Sequence, residues 1–259
     1  PTIKNEDTYS TGTAIMGRLN YTLMNRYLLT LSIRRDGYSA FGMENPYATF
    51  PSGALAWNMS DESFFNVKWI DNLKIRASYG INGNRDIGIY DALAKLETNK
   101  YLTENTLISG IYSSSLANQY LKWEKTKALN FGLDFSILGN RLNGSVDYYS
   151  MITNDLLLKR SLPTIIGYDN VMSNMGELQN KGFEMTLNSY NIQNKDFNWN
   201  STLTFSFNRN KIKHLYGEMV NILDENGNVI GQKEGDDIDN GWFIGQSIDR
   251  IWNYKFLGI

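Results

Sequence analysis

Asp134 and Asp147 are the residue types that a glycoside hydrolase needs, one as acid and the other as nucleophile or base. Each sits within a strand-like run among Ser and Asn neighbours, with nothing to mark a cleft or a raised pKa. Ser113-Ser114-Ser115 lacks the glycine-flanked turn of a nucleophile elbow, and the single histidine, His214, has no recognisable triad partner. Asp236, Asp237 and Asp239 follow an Asp224–Asn228 loop and are calcium-type ligands. Gly227 stands fourth in that loop rather than sixth, so the EF-hand pattern fails and Glu225–Asn228 reads as a hairpin tip. Gly80, Gly83 and Gly88 are wrongly spaced to cradle a phosphate. No catalytic residue, metal ligand or cofactor site is expected.

Residues suited to binding form two groups. Arg34, Asp36, Lys74 and Arg76 fall by parity on the polar faces of strand-like runs, either as a polar path for a ligand or as wall residues neutralised in salt bridges. Tyr90, Tyr101, Tyr112 and Tyr120 crowd the longest connection. Aromatic faces stack on sugars there, or simply pack the loop. Trp123, just before a strand, reads as structural.

The elements that must position these residues show strict alternation. In Phe197–Asn208 the odd positions include Phe197, Trp199, Leu203, Phe205 and Phe207, and the even ones are Asn, Thr and Ser. A strand projects successive side chains to opposite faces, so this stretch has one apolar and one polar face, as a wall between lipid and water requires. Similar runs are expected at Thr13–Leu23, Tyr27–Asp36, Thr49–Met59, Leu73–Gly83, Thr126–Ile137, Arg141–Thr153 and Lys181–Ile192. A ninth, at about Gly245–Phe256, alternates less cleanly. Tight links at Met24–Arg26, Leu138–Asn140 and Gln193–Asp196 suit hairpins, and Ser60–Asn72 is longer, with a helical turn expected around Glu62–Asn66. They alternate with long connections at Gly37–Ala48, Asn84–Lys125, Asn154–Asn180 and Arg209–Ile244, which puts the short turns at one end of an up-and-down sheet and the long loops at the other. Glycines within strands, such as Gly80 and Gly132, read as points of bending and close approach.

Composition narrows the class. The chain has 259 residues and no cysteine, which excludes disulfides and thiolate metal sites. With 25 basic and 27 acidic residues, it gives no reason to expect nucleic acid as partner. The mean hydropathy of −0.39 reflects interleaving of polar and apolar residues and does not argue against a membrane barrel. The stop at Phe256–Ile259, inside a strand-like run, points to a fragment.

Five stretches carry a family resemblance: Ile33–Gly42 (IRRDGYSAFG), Phe50–Trp57 (FPSGALAW), Leu73–Asn84 (LKIRASYGINGN), Leu121–Tyr149 and Asn174–Leu187 (NMGELQNKGFEMTL). In motif, order and spacing the chain resembles the SusC/RagA-like TonB-dependent outer-membrane transporters of Bacteroidetes, the starch-utilisation type. Tyr38-Ser39-Ala40 departs from the serine-rich, basic tip usual in the first motif. The resemblance implies an all-β, antiparallel up-and-down transmembrane barrel wall. Residues 1–259 would supply about nine strands of a larger barrel of about 22, with the plug domain and C-terminal strands absent. It implies an importer of oligosaccharide or peptide that works with a SusD-like surface lipoprotein and sits in outer-membrane lipid. A TonB-type energy-coupling protein would act through the missing N-terminal region. Arg34, Asp36, Lys74 and Arg76 would then face the lumen, where substrate or plug could meet them. Tyr90, Tyr101, Tyr112 and Tyr120 would lie on an external loop. The alternatives are a soluble or surface-anchored carbohydrate-binding module with a sandwich or jelly-roll fold, and a β-rich glycosidase.

Overall fold

The computed structural model describes residues 7–253 apart from 105, 163 and 169. Its strands are β1 (Gly12–Leu23), β2 (Tyr27–Tyr38), β3 (Tyr47–Asn58), β4 (Ile70–Asn84), β5 (Leu96–Thr103), β6 (Thr106–Ser113), β7 (Glu124–Ile137), β8 (Leu142–Ser161), β9 (Asn170–Gln193), β10 (Asn198–His214), β11 (Met219–Leu223) and β12 (Val229–Glu234). Eight of them form one antiparallel meander in the order β1-β2-β3-β4-β7-β8-β9-β10. The pairs β5–β6 and β11–β12 are separate hairpins within the long connections. The sheet is open, and among the described residues no second layer covers its apolar side: Ile15, Leu203, Phe205 and Phe207 are all more than half exposed. That arrangement is the reverse of a sandwich, which buries such a face.

The tight links are turns. Met24 and Asn25 both adopt positive φ, and the Arg26 amide donates to the Leu23 carbonyl at 3.0 Å. The helical turn of the longer link lies at Met59–Asp61, ahead of its expected place at Glu62–Asn66.

Two expectations need correction. Asn154–Asn180 is mostly strand, because β8 runs on to Ser161 and β9 begins at Asn170. Both strands pass a matched irregularity, with Asp155 and Gly176 at positive φ. Beyond it Leu156-Leu157-Leu158 no longer alternates, because Leu157 and Met172 pack against the loop core. The ninth strand is absent from Gly245 to Asn253, and the remainder of that expected run lies outside the described residues. The Gly245 amide donates to the Ile212 carbonyl at 2.8 Å. The Asn210 side-chain oxygen then accepts from Ser247 and from the Ile248 amide, which curls the chain into turns. Among the described residues the wall therefore contains eight strands rather than nine.

Cross-strand register fixes the two faces. One apolar row runs Tyr21, Leu29, Leu55, Ala77, Phe131, Tyr148, Phe183, Phe207 across all eight strands. The apolar band is oblique to such rows. On β1 it reaches from Leu23 to Ile15, three rows beyond the row of Tyr21 towards the loops. On β10 it stops at Phe207 and extends towards the short turns as far as Trp199. A shift of three rows is about 20 Å along the strands, against about 34 Å across seven strand spacings, which gives a tilt of about 30°. Transmembrane barrel strands tilt by roughly 35–45°. From Leu23 to Ile15 the band spans about 27 Å along the strand, or about 23 Å once tilted, close to the ~25 Å apolar belt of an outer-membrane barrel.

The buried core sits at the loop end. Ala40, Phe41, Ala48, Phe50, Ile87, Ala92, Leu121 and Trp123 cluster there, with Leu121 fully buried. Trp123 lies 5.0 Å from Phe41 and 5.6 Å from Phe50, and its Nε1 donates to the Pro46 carbonyl at 3.2 Å. Gly42 donates its amide to the Leu121 carbonyl at 3.3 Å, with the Gln119 backbone so close that no Cβ would fit. The first loop is thus clamped to the second.

Candidate functional site

The polar face of the sheet is the first candidate. Arg76, Gly132 and Asp147 stand in one cross-strand row, with Asp134 two residues from Gly132 on β7. The Arg76 guanidinium lies across Gly132 and grips Asp134 through Nε and Nη2, both at 2.8 Å, while Nη2 also reaches Asp147 at 3.1 Å. A Cβ on Gly132 would come within 2.6 Å of the guanidinium, so the glycine makes the space this arginine fills. The two carboxylates considered for sugar hydrolysis are thus both partners of one cation. Lys74 is opposite Asp134 in register, and among the described residues it forms no ion pair.

Arg34 and Asp36 lie elsewhere. Asn82 lines the groove around this pair, and Arg76 is six residues down β4 from it, a separation of about 20 Å. Arg34 forks onto Asp36, with Nε to Oδ2 at 2.7 Å and Nη2 to Oδ1 at 2.8 Å. Around this pair is an open groove of about 490 Å³ lined also by Arg18, Ser52, Asn82 and Arg85, with Phe50 and Trp123 at its base. Ser32 and Ser52 share a hydrogen bond of 2.6 Å across the β2–β3 pair. Arg85 stacks over the Tyr38 ring at 4.7 Å. Three arginines against one carboxylate make this groove cationic. Arg18 was legible by its parity on β1, whereas Arg85 lies in a loop and had no periodic signal.

The four loop tyrosines do not converge. Tyr101 and Tyr112 stand on the β5–β6 hairpin, Tyr101 over Gly110 and Tyr112 with its hydroxyl 3.3 Å from Glu97. Tyr90, at φ 79, accepts the Tyr9 amide on its hydroxyl at 3.1 Å and lines a small apolar groove with Phe41 and Met43. Tyr120 is 75% exposed at the outer surface. Trp123 is buried, in keeping with its structural reading.

The acidic loop residues are engaged locally. Asp224 caps the β11–β12 tip, accepting from the Asn226 and Asn228 amides, and the Asn228 hydrogen bonds hold it below the ordinary carboxylate range. Burial works against the Asp237 carboxylate. Hydrogen bonds from Asn240 and from Tyr216, at 2.5 Å, outweigh it and keep Asp237 ionised. Burial and that same bond push the Tyr216 phenol well upward. Asp236 pairs with Lys233 and accepts the Ile244 amide. Among the described residues no group of His, Cys, Asp and Glu is arranged to hold a metal ion.

At the short-turn end one carboxylate gathers an aromatic cluster that sequence reasoning missed. Glu62 accepts from the Tyr27 hydroxyl at 2.5 Å, Trp57 Nε1 at 3.0 Å and Arg26 at 3.1 Å. Tyr27 stacks parallel to Trp57 at 6.4 Å, and Phe64 packs on the other side of Trp57. The Tyr27 and Trp57 hydrogen bonds, with Arg26, hold Glu62 below the ordinary carboxylate range. Amphipathic rings gathered at one edge of an apolar band are the girdle expected at a membrane interface.

Known proteins share this architecture. Residues 1–251 match the family model "TonB dependent receptor-like, beta-barrel". TonB-dependent receptor P3 of Formosa agariphila is 39% identical over 250 residues, covering 95% of this chain and 24% of the relative. TonB-dependent receptor SusC of Bacteroides thetaiotaomicron is 38% identical over 216 residues, covering 81% and 22%. A structure of the RagAB peptide transporter superposes with a TM-score of 0.77 at 30% identity, covering 92% of this chain and 25% of that one. The chain thus spans about a quarter of the length of the curated relatives it matches. With its oblique apolar band, polar opposite face and elaborated loop end, the chain belongs to the TonB-dependent receptor β-barrel family of the outer membrane, in its SusC/RagA-like branch.

Proposed function

We propose that this chain forms part of the wall and outer rim of an energy-coupled outer-membrane importer of nutrients, taking up a peptide or an oligosaccharide. The oblique apolar band carries this reading, because a face tilted by about 30° and about 23 Å tall suits one leaflet-to-leaflet crossing and no soluble fold. The rest of the receptor supplies the plug, the remaining strands and the N-terminal region that engages a TonB-type coupling protein. A SusD-like surface lipoprotein closes over the loop end, where the β5–β6 hairpin presents Tyr101 and Tyr112 and Tyr120 stands at the surface.

Cargo crosses this protein unchanged. Asp134 and Asp147 serve as the two partners of Arg76 in this reading rather than as an acid and base. The cationic groove around Arg34 and Asp36 faces the lumen and meets carboxylates of the cargo or of the plug. Lys74 offers a second contact lower in the lumen. In the full-length protein, single cysteines at Leu203 and Thr204 labelled with a polarity-sensitive dye test the wall. A lipid-like spectrum at Leu203 with a water-like one at Thr204 is expected, and water-like spectra at both would sink the reading.

A further inference from the structure

Above the apolar band on β7, β9 and β10 stands a strip of cations that the transport reading does not use. Lys127, Lys181, Arg209 and Lys211 share the outward face with Phe131, Phe183 and Phe207. Lys181 and Arg209 are direct cross-strand partners, and the next row holds Lys127, Ile152, Gln179 and Lys211. All four are exposed, and among the described residues none has an ion-pair partner. Those two rows carry no carboxylate between β7 and β10.

The strip follows the tilt. On β7 the band ends at Leu129 and the cation is Lys127. On β9 it ends at Phe183, followed by Lys181, and on β10 at Phe207, followed by Arg209. Lys127, Lys181 and Arg209 each lie one step beyond the last apolar residue of their own strand, so these three sit at one depth although they occupy different rows, and Lys211 stands one step further out on β10. Lys127 and Lys211 are three strand spacings apart, about 14 Å. Like charges directly opposite each other in a sheet are destabilising unless an anion lies between them.

Resting on the wall reading, we infer that Lys127, Lys181, Arg209 and Lys211 bind the phosphorylated headgroup of a lipid in the outer leaflet, its acyl chains lying on Phe131, Tyr148, Phe183 and Phe207. The strip lies at the long-loop end, which faces outward in barrels of this class. Its positive charge complements headgroup phosphates directly above the aromatic row on which acyl chains pack.

The test uses the full-length receptor in detergent, titrated with bisphosphorylated lipid A, with the same lipid dephosphorylated, and with inorganic phosphate, bound species being counted by native mass spectrometry. The wild type should retain bisphosphorylated lipid A in preference to the dephosphorylated form. Lys181→Gln with Arg209→Gln should weaken retention about 25-fold, about fivefold for each charge removed. Lys181→Arg with Arg209→Lys should keep it. Equal retention by wild type and the Gln variant, or of both lipids, would overturn the inference, as would full displacement of the lipid by inorganic phosphate. A dye at Leu203 of the Gln variant separates the two readings. A lipid-like spectrum there leaves the wall intact whatever the lipid result, whereas a water-like one overturns the wall itself.

Discussion

At the short-turn end, Glu62 draws Tyr27, Trp57 and Arg26 around one carboxylate, whereas at the loop end of β7–β10 four cations have no ion-pair partner among the described residues and the loops build their own apolar core around Trp123. The same sheet thus meets its two boundaries with different chemistry. Tight turns leave little backbone to satisfy, so aromatic rings and a single carboxylate suffice there. Long loops must bury apolar surface of their own to stay ordered above the membrane, and they do so with Phe41, Phe50, Leu121 and Trp123.

The loop end should be the easier to break. Trp123→Ala removes the centre of that core and should cost about 3–5 kcal/mol locally. The expected readout is rapid proteolysis within residues 85–123 while the barrel stays resistant, and unchanged cleavage would contradict the assignment of the core. Across the two faces, Leu133→Arg places a cation near the middle of the apolar band and should lower stability by about 2–4 kcal/mol. Asn130→Arg, on the polar face, should change it far less. Equal losses in unfolding titrations would erase the distinction between the faces.

Arg76→Ala leaves Asp134 and Asp147 facing each other without their cation. The expected loss is about 1–3 kcal/mol, towards the lower end because Arg76 is 33% exposed. Gly132→Val should reproduce much of it by displacing the guanidinium. If either variant unfolds at the wild-type midpoint, the ion triad contributes nothing.

The smallest effect concerns acid. Glu62 is held ionised in the fold, so its contribution is present above the carboxylate's unfolded pKa and fades as pH falls through its lower folded value. Trp57 fluorescence should therefore change on acidification in the wild type. In Glu62→Gln the same step should be missing, and its persistence would show that another group drives it.

The faces of β1–β4, β7 and β10 were legible because lipid on one side and water on the other impose a period of two. The same logic explains what was not legible. Beyond Asn154 the long strands β8 and β9 pack against the Asn84–Lys125 connection. Asn118 donates to the Met172 carbonyl and Lys122 to Asn174, so both faces meet protein and the alternation lapses. The β5–β6 and β11–β12 hairpins are hidden for the opposite reason, since most of their residues are exposed and no side needs to be apolar. In the candidate site, parity placed Arg34, Asp36, Lys74 and Arg76 on the polar face. That Arg76 crosses Gly132 to hold Asp134 and Asp147 depends on strand register, which a one-residue slip would change entirely.

The central claim is a wall whose strands cross the membrane at a slant, and one cross-strand row tests it. Leu31 and Lys181 belong to the same row, linked through Gly53, Tyr79, Leu129 and Ser150. Spin labels at these two positions in the full-length protein, embedded in bilayers, report collision with oxygen in lipid or with a nickel chelate in water. The tilted wall predicts strong oxygen and weak nickel contact at Leu31, with the reverse at Lys181. Equal accessibility at the two positions would mean that the row runs level with the membrane, or outside it, and would contradict the account.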